Sequence, residues 1–121
     1  MSQLQANLMK AALDKVSAHR GQNAEFKGKY TTWVRRLPGL IQTSGLAQTV
    51  VFAKEKAAED PAVKALLEDL KGTPGIGSDL IDRVKSADLQ DYMFMSQRLL
   101  EAIVFYKRFC VSILEVKGVE E

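Results

Sequence analysis

Residues 88–117 read DLQDYMFMSQRLLEAIVFYKRFCVSILEVK. Asp88 is placed to cap a helix, and Asp91 falls in its first turn, where a carboxylate meets the positive end of the helix dipole. Apolar residues then recur every three or four positions along two stripes. One comprises Leu89, Met93, Leu100, Ile103, Cys110 and Leu114; the other comprises Tyr92, Leu99, Ala102, Tyr106, Phe109 and Ile113. This is the period of a helix, not of a strand. Together the stripes cover a wide arc, which predicts a long C-terminal helix at the centre of a bundle. Running to about Lys117 and stopped by Gly118, its thirty residues would span about 45 Å.

The rest of the chain follows the same period. Leu4, Leu8, Met9, Ala12, Leu13 and Val16 line one face of a helix over Ser2–His19, closed by Gly21. Asn23 caps a second helix whose stripe is Phe26, Tyr30, Trp33, Leu37 and Ile41. Pro38 lacks a backbone donor, which predicts a kink or break near Arg35–Leu37, and Ser44-Gly45 ends or turns the segment. A third helix is expected from Leu46 to about Ala58, with Val50, Ala53 and Ala57 inward. Asp60-Pro61 is a strong start signal for a fourth, carrying Val63, Leu66, Leu67 and Leu70 and closed by Gly72. Thr73–Ser78 is a loop, and a short helix from Asp79 to about Lys85 precedes the long one. The expectation is one all-α domain over residues 1–121, a bundle of about five to six helices.

The 121 residues, 46% hydrophobic and 26% charged, are enough to bury roughly two-thirds of the unfolded surface. The one cysteine, Cys110, permits no internal disulfide and suits a reducing compartment. The start, Met-Ser-Gln-Leu-Gln-Ala-Asn, has no signal-peptide pattern, and no apolar run approaches a membrane span. A cytoplasmic protein with no membrane contact is expected.

Residue types that carry chemistry are sparse. His19 is the only histidine and has no metal-ligand partner at a suitable spacing. It reads as a helix-end residue. Cys110 lies on an apolar stripe and reads as a small core side chain. The pairs Asp79/Asp82 and Asp88/Asp91 sit three apart, a spacing that permits shared metal coordination, yet each also begins a helix that carboxylates stabilise. No catalytic residue, metal, cofactor or small-molecule substrate is expected. Leu70–Gly77 followed by a helix resembles a helix-hairpin-helix DNA-binding turn, in which backbone amides approach a phosphate. Thr73 stands there in place of an apolar residue, and Asp79 and Asp82 would repel a polyanion.

Charge points elsewhere. Residues 1–58 hold nine Lys/Arg and three acids; the remainder holds eight and twelve. Such asymmetry marks a polyanion-facing side, charge for stacking positive on negative, or simply a solvated bundle whose charges cluster. On the second helix Lys29 and Arg36 point within about 20° of each other, and Arg35 projects further round. Lys15, Arg20 and Lys27 flank the first interhelical turn. This surface is suited to holding phosphates without reading bases. The aromatics Phe26, Tyr30 and Trp33 share the apolar stripe, which places them in the core rather than on a base-stacking platform.

Two segments carry a family resemblance. The first is Lys29-Tyr30, Leu37-Pro38-Gly39-Leu40-Ile41, Ser44-Gly45-Leu46 and Phe52; the second is Leu99–Cys110, ending Phe105-Tyr106-Lys107-Arg108-Phe109-Cys110. With the all-helical layout and the length, they resemble the small subunit of the type III-B CRISPR RNA-guided effector, the Cmr complex. Tyr106 stands for the family's usual tryptophan and Cys110 for its alanine; both suit packing. The resemblance implies a non-catalytic subunit of an antiviral ribonucleoprotein, stacked with copies of itself beside other Cmr subunits. It implies contact with guide RNA and target RNA through their backbones, with Lys107 and Arg108 joining Lys15, Arg20, Lys27, Lys29, Arg35 and Arg36 as candidate contacts. A DNA-binding module using the Thr73–Ser78 loop and a protein–protein adaptor without nucleic-acid contact are the alternatives.

Overall fold

A computed structural model describes residues 1–117 of the chain. Among these residues six helices and no strand occur: α1 (Gln3–Ser17), α2 (Ala24–Ser44), α3 (Leu46–Ala57), α4 (Pro61–Lys71), α5 (Leu80–Ser86) and α6 (Leu89–Ser112). None is long and apolar enough to cross a membrane.

The starts follow from side chains that satisfy orphan amides. Ser2 and Gln5 form a reciprocal capping box on α1. Asn23 accepts from Phe26 N, Asp60 from Ala62 N and Asp88 from Asp91 N. Asp79 Oδ1 accepts from both Ile81 N and Asp82 N. The carboxylate pairs are thus caps and first-turn residues.

Of the expected kink or break near Arg35–Leu37 there is no break: α2 runs on through Pro38. Proline inside a helix costs about 3 kcal/mol. Leu37 and Ile41, buried on either side of it, each recover roughly 1.5–3 kcal/mol by keeping the segment helical and packed. Gly45 (φ 83°) then turns the chain in a single residue, ending α2 and beginning α3. A Cβ there would lie 3.3 Å from Tyr92 Oη, whose hydroxyl accepts from Ala47 N at 2.9 Å. Only glycine adopts this backbone conformation without strain.

α2 packs on α3, α4 and α6; α1 packs on α6, and α3 on α4 and α5. The core holds Leu8, Val16, Tyr30, Val34, Leu46, Leu66, Met95, Leu99, Ile103 and Tyr106. On α6 the buried face is Met95, Leu99, Ala102, Ile103, Tyr106 and Cys110. Leu89 and Met93, assigned by periodicity to the inner stripes, are exposed.

α6 also ends at Ser112 rather than near Lys117, so it spans about 36 Å. The turn is made by Glu115 (φ 59°), a non-glycine residue in the left-handed region. It is held by Val116 N donating to Cys110 O, by burial of Leu114, and by Arg35 Nη2 donating to Lys117 O at 3.1 Å. The stop expected at Gly118 lies outside the described residues.

Candidate nucleic-acid interface

The exposed edge of α2 carries the strongest basic arrangement. Arg36 stands over the Trp33 ring at 4.8 Å and reaches the Phe52 ring of α3 at 5.9 Å. Lys56 of α3 also approaches Phe52, with Nζ 5.8 Å from the ring centroid. Trp33 and Phe52 pack at 5.5 Å between ring centroids. The two aromatics therefore form a hydrophobic seam between α2 and α3 on which two cations rest. A guanidinium stacked on aromatic faces is oriented without losing its hydrogen-bond donors. Trp33 is buried, as its place in the stripe predicts, and serves as a backing for Arg36.

The other candidate residues differ in how free they are. Lys29 Nζ lies 3.5 Å from Glu25 Oε1, an exposed pair one helical turn apart that contributes at most a few tenths of a kcal/mol and leaves Lys29 available. Arg35 is half-buried and holds the Lys117 carbonyl. The Lys15 side chain lies over Gly72 at the C-terminus of α4, close enough that a Cβ on Gly72 would meet its Cε at 3.0 Å. There its charge complements the α4 dipole. Arg20 is exposed in the α1–α2 turn and Lys27 is half-buried one turn into α2. Lys107 and Arg108 are on α6, the first half-buried and the second exposed. The structure thus joins Arg36 to Lys56, a residue of the basic half that periodicity alone did not single out. Phe52 was the available signal, since it places Lys56 one turn beyond an aromatic on the same helix.

A second polar cluster was not legible in sequence. His19 Nε2 lies 2.8 Å from Asp69 Oδ2, and Tyr30 Oη donates to the same oxygen at 2.6 Å. The His19 ring also packs against Phe26 (5.3 Å) and Tyr30 (4.9 Å). His19 and Asp69 are only 14% and 12% exposed, so the cluster ties the α1–α2 turn to α4 inside the fold. Burial, then the Asp69 carboxylate, push the Tyr30 hydroxyl far above its ordinary range. His19 is therefore more than a helix-end residue, being the link between two helical layers.

The remaining chemistry is quiet. Cys110 is buried, and burial raises its thiol above the ordinary range, opposite to what a nucleophile requires. Among the described residues no group of three or more His, Cys, Asp or Glu side chains is placed to hold a metal.

The Thr73–Ser78 loop turns its carbonyls inward. Arg98 Nη1 donates to Pro74 O at 3.0 Å, and Arg83 donates to Ile76 O and Gly75 O, both at 3.1 Å. Arg83 also pairs with Asp91. Gly75 (φ 91°) passes so close that a Cβ would sit 2.7 Å from Arg98 Nη1 and 3.0 Å from Phe94 Cζ. The Ile76 amide donates to Thr73 O, and Asp79 occupies the first amides of α5. A phosphate-binding hairpin needs those amides free. Gly75 allows close packing, and Gly77 (φ 69°) serves the turn itself.

Three comparisons with known proteins agree. The family model described as CRISPR-associated protein (Cas_Cmr5) matches residues 4–113. A curated protein of Thermus thermophilus, the CRISPR system Cmr subunit Cmr5, is 30% identical over 93 residues, covering 75% of this chain and 80% of that one. The crystal structure of a CRISPR-associated Cmr5 family protein from Thermus thermophilus superposes with a TM-score of 0.79 at 25% identity, covering 94% of this chain and 99% of the other.

Proposed function

This chain belongs to the CRISPR-associated Cmr5 family, and on that premise we propose that it is a non-catalytic subunit of a Cmr effector complex that grips RNA by its phosphate backbone. In this reading the α2–α3 edge, with Arg36 and Lys56 set on the Trp33–Phe52 seam and Lys29 two turns before Arg36, is the contact surface. The seam is the observation that carries it. Two cations are held outward by aromatic backing, whereas Arg35 holds the Lys117 carbonyl and Lys15 lies over Gly72. Such contacts position a nucleic acid without discriminating sequence. Copies of the chain stack beside other Cmr subunits, and Arg20, Lys27, Lys107 and Arg108 extend the basic surface along the guide–target duplex.

The test uses the assembled complex. Lys29→Glu, Arg36→Glu and Lys56→Glu together should weaken target-RNA binding and flatten its dependence on salt. The log–log slope should fall by about 0.7 for each single-strand phosphate that is no longer neutralised. Unchanged affinity and slope in a correctly assembled complex would remove this surface from the reading. The adaptor reading, with no RNA contact, draws on a separate observation, the exposed apolar residues of α6.

A further inference from the structure

Phe52 does more than back two cations. Half-buried, it also lines an open cleft of about 570 Å³ beside them, between the end of α2 and α3. The other apolar walls are Leu40, Ala47 and Val51, the last 51% exposed. Polar groups edge the cleft: the Ser44 hydroxyl, the Gln48 amide and the Glu55 carboxylate, all exposed. Its volume falls within the range of about 300–1,000 Å³ of sites that hold small organic molecules.

The mixture of groups selects the occupant. Aliphatic walls with an aromatic side chain among them suit a flat heteroaromatic ring. Gln48 both donates and accepts, and Glu55 accepts only, so together they match the edge of a base that carries an amino group. Ser44 can donate to or accept from a ribose hydroxyl. Arg36 and Lys56 both contact Phe52, and among the described residues neither has a carboxylate partner, which leaves both for an anion. A ring, a sugar and an anion joined together make a nucleotide. An aliphatic ligand would leave the cations and the polar edge unused, and a bare phosphate would leave the apolar walls empty.

We propose that this cleft takes the base of an unpaired nucleotide whose phosphate lies on Arg36 and Lys56. The inference rests on the RNA reading above and narrows it. A base already paired within a duplex cannot enter, so the strand is single-stranded where it crosses the α2–α3 edge. Contact between a base and apolar walls tolerates any sequence. Glu55 adds a bias towards rings with an amino group, and against uracil, which has none.

Trp33 is the one tryptophan, and Arg36 stands over its ring, so its fluorescence reports binding at this edge. The pure full chain at low salt is titrated with an oligoadenylate of about eight nucleotides and with the same strand built without bases. The intact strand should bind at least about tenfold (~1.4 kcal/mol) more tightly. The two strands carry the same phosphates, so a surface that holds backbone alone binds them equally. Ala47→Gln with Val51→Gln fills the cleft with polar side chains and leaves the charge unchanged. This variant, melting as the parent does, should bind the intact strand within about threefold of the baseless one. The triple Lys29→Glu, Arg36→Glu and Lys56→Glu variant should weaken both strands. Equal binding of the two strands by the parent would overturn the base site and leave the phosphate contact standing. A base preference that survives in the glutamine variant would place the base outside this cleft and overturn it too. Binding of neither strand would overturn both readings.

Discussion

Replacing Asp69 by alanine should destabilise the fold by about 3 kcal/mol. One carboxylate oxygen accepts from Tyr30 Oη at 2.6 Å and meets His19 Nε2 at 2.8 Å. Hydrogen bonds to a charged group are worth about 1.5–3 kcal/mol each. The His19 bond falls just below that range, at about 1 kcal/mol, because both partners retain some solvent contact. The Tyr30 bond belongs higher, because Tyr30 is fully buried and its hydroxyl would be stranded. The loss is a large part of a total stability of about 5–15 kcal/mol. It should lower the melting temperature by about 10 °C. Urea unfolding at neutral pH measures it directly, and a double-mutant cycle of Tyr30→Phe with Asp69→Ala should give a coupling of about 1.5–2 kcal/mol. If Asp69→Ala unfolds within about 0.5 kcal/mol of the parent, or the coupling is near zero, the cluster does not hold α4 to the α1–α2 turn.

Burial raises both the Tyr30 and the Tyr106 hydroxyls, so the folded chain keeps protons that the unfolded chain releases near pH 10. The contribution of the two tyrosines should be flat below about pH 9 and fall above pH 10, by up to ~1.4 kcal/mol per pH unit for each, beside a fall of the same sign from the buried Cys110 thiol; urea midpoints across that range should show the fall, smaller by one tyrosine's share in Tyr30→Phe. Gly75→Ala should cost about 2 kcal/mol, from its left-handed backbone and the clash with Arg98 and Phe94, and a melt no lower than the parent's would contradict the packing of that loop. The Cys110 thiol should resist a thiol reagent in the native state and react at a rate that follows unfolding as urea is added; rapid native labelling would refute its burial.

The helices were legible because their signals are local. Asn23, Asp60, Asp79 and Asp88 sit where caps must sit, and the apolar periods of α2 and α4 name most of their buried apolar residues, missing Val34 and Ala62. What escaped depends on neighbours distant in sequence. Pro38 is carried through by the burial of Leu37 and Ile41, and α6 stops early because Arg35, 82 residues before Lys117, holds the chain where it turns back. Leu89 and Met93 are exposed although their spacing fits the stripe, because periodicity within α6 does not encode which part of it neighbours cover. At the interface the same division holds. Periodicity aligned Lys29 with Arg36, but Lys56 joined them only through the packing of Phe52 on Trp33. Asp69 carried no local mark at all, since its partners are 39 and 50 residues away.

The junction at Gly45 has a consequence for how this chain tolerates changes in length. One residue separates α2 from α3, so there is no slack to absorb an insertion. An added residue within the start of α3 would rotate the rest of that helix by about 100° and carry Val50 and Ala53 out of the core. The same residue added between Arg20 and Asn23, past the half-buried His19, would merely lengthen an exposed turn. Relatives of different length should therefore vary at that turn and keep the α2–α3 elbow at one residue. A circular permutant opened at the turn should fold, whereas one opened at the elbow should not.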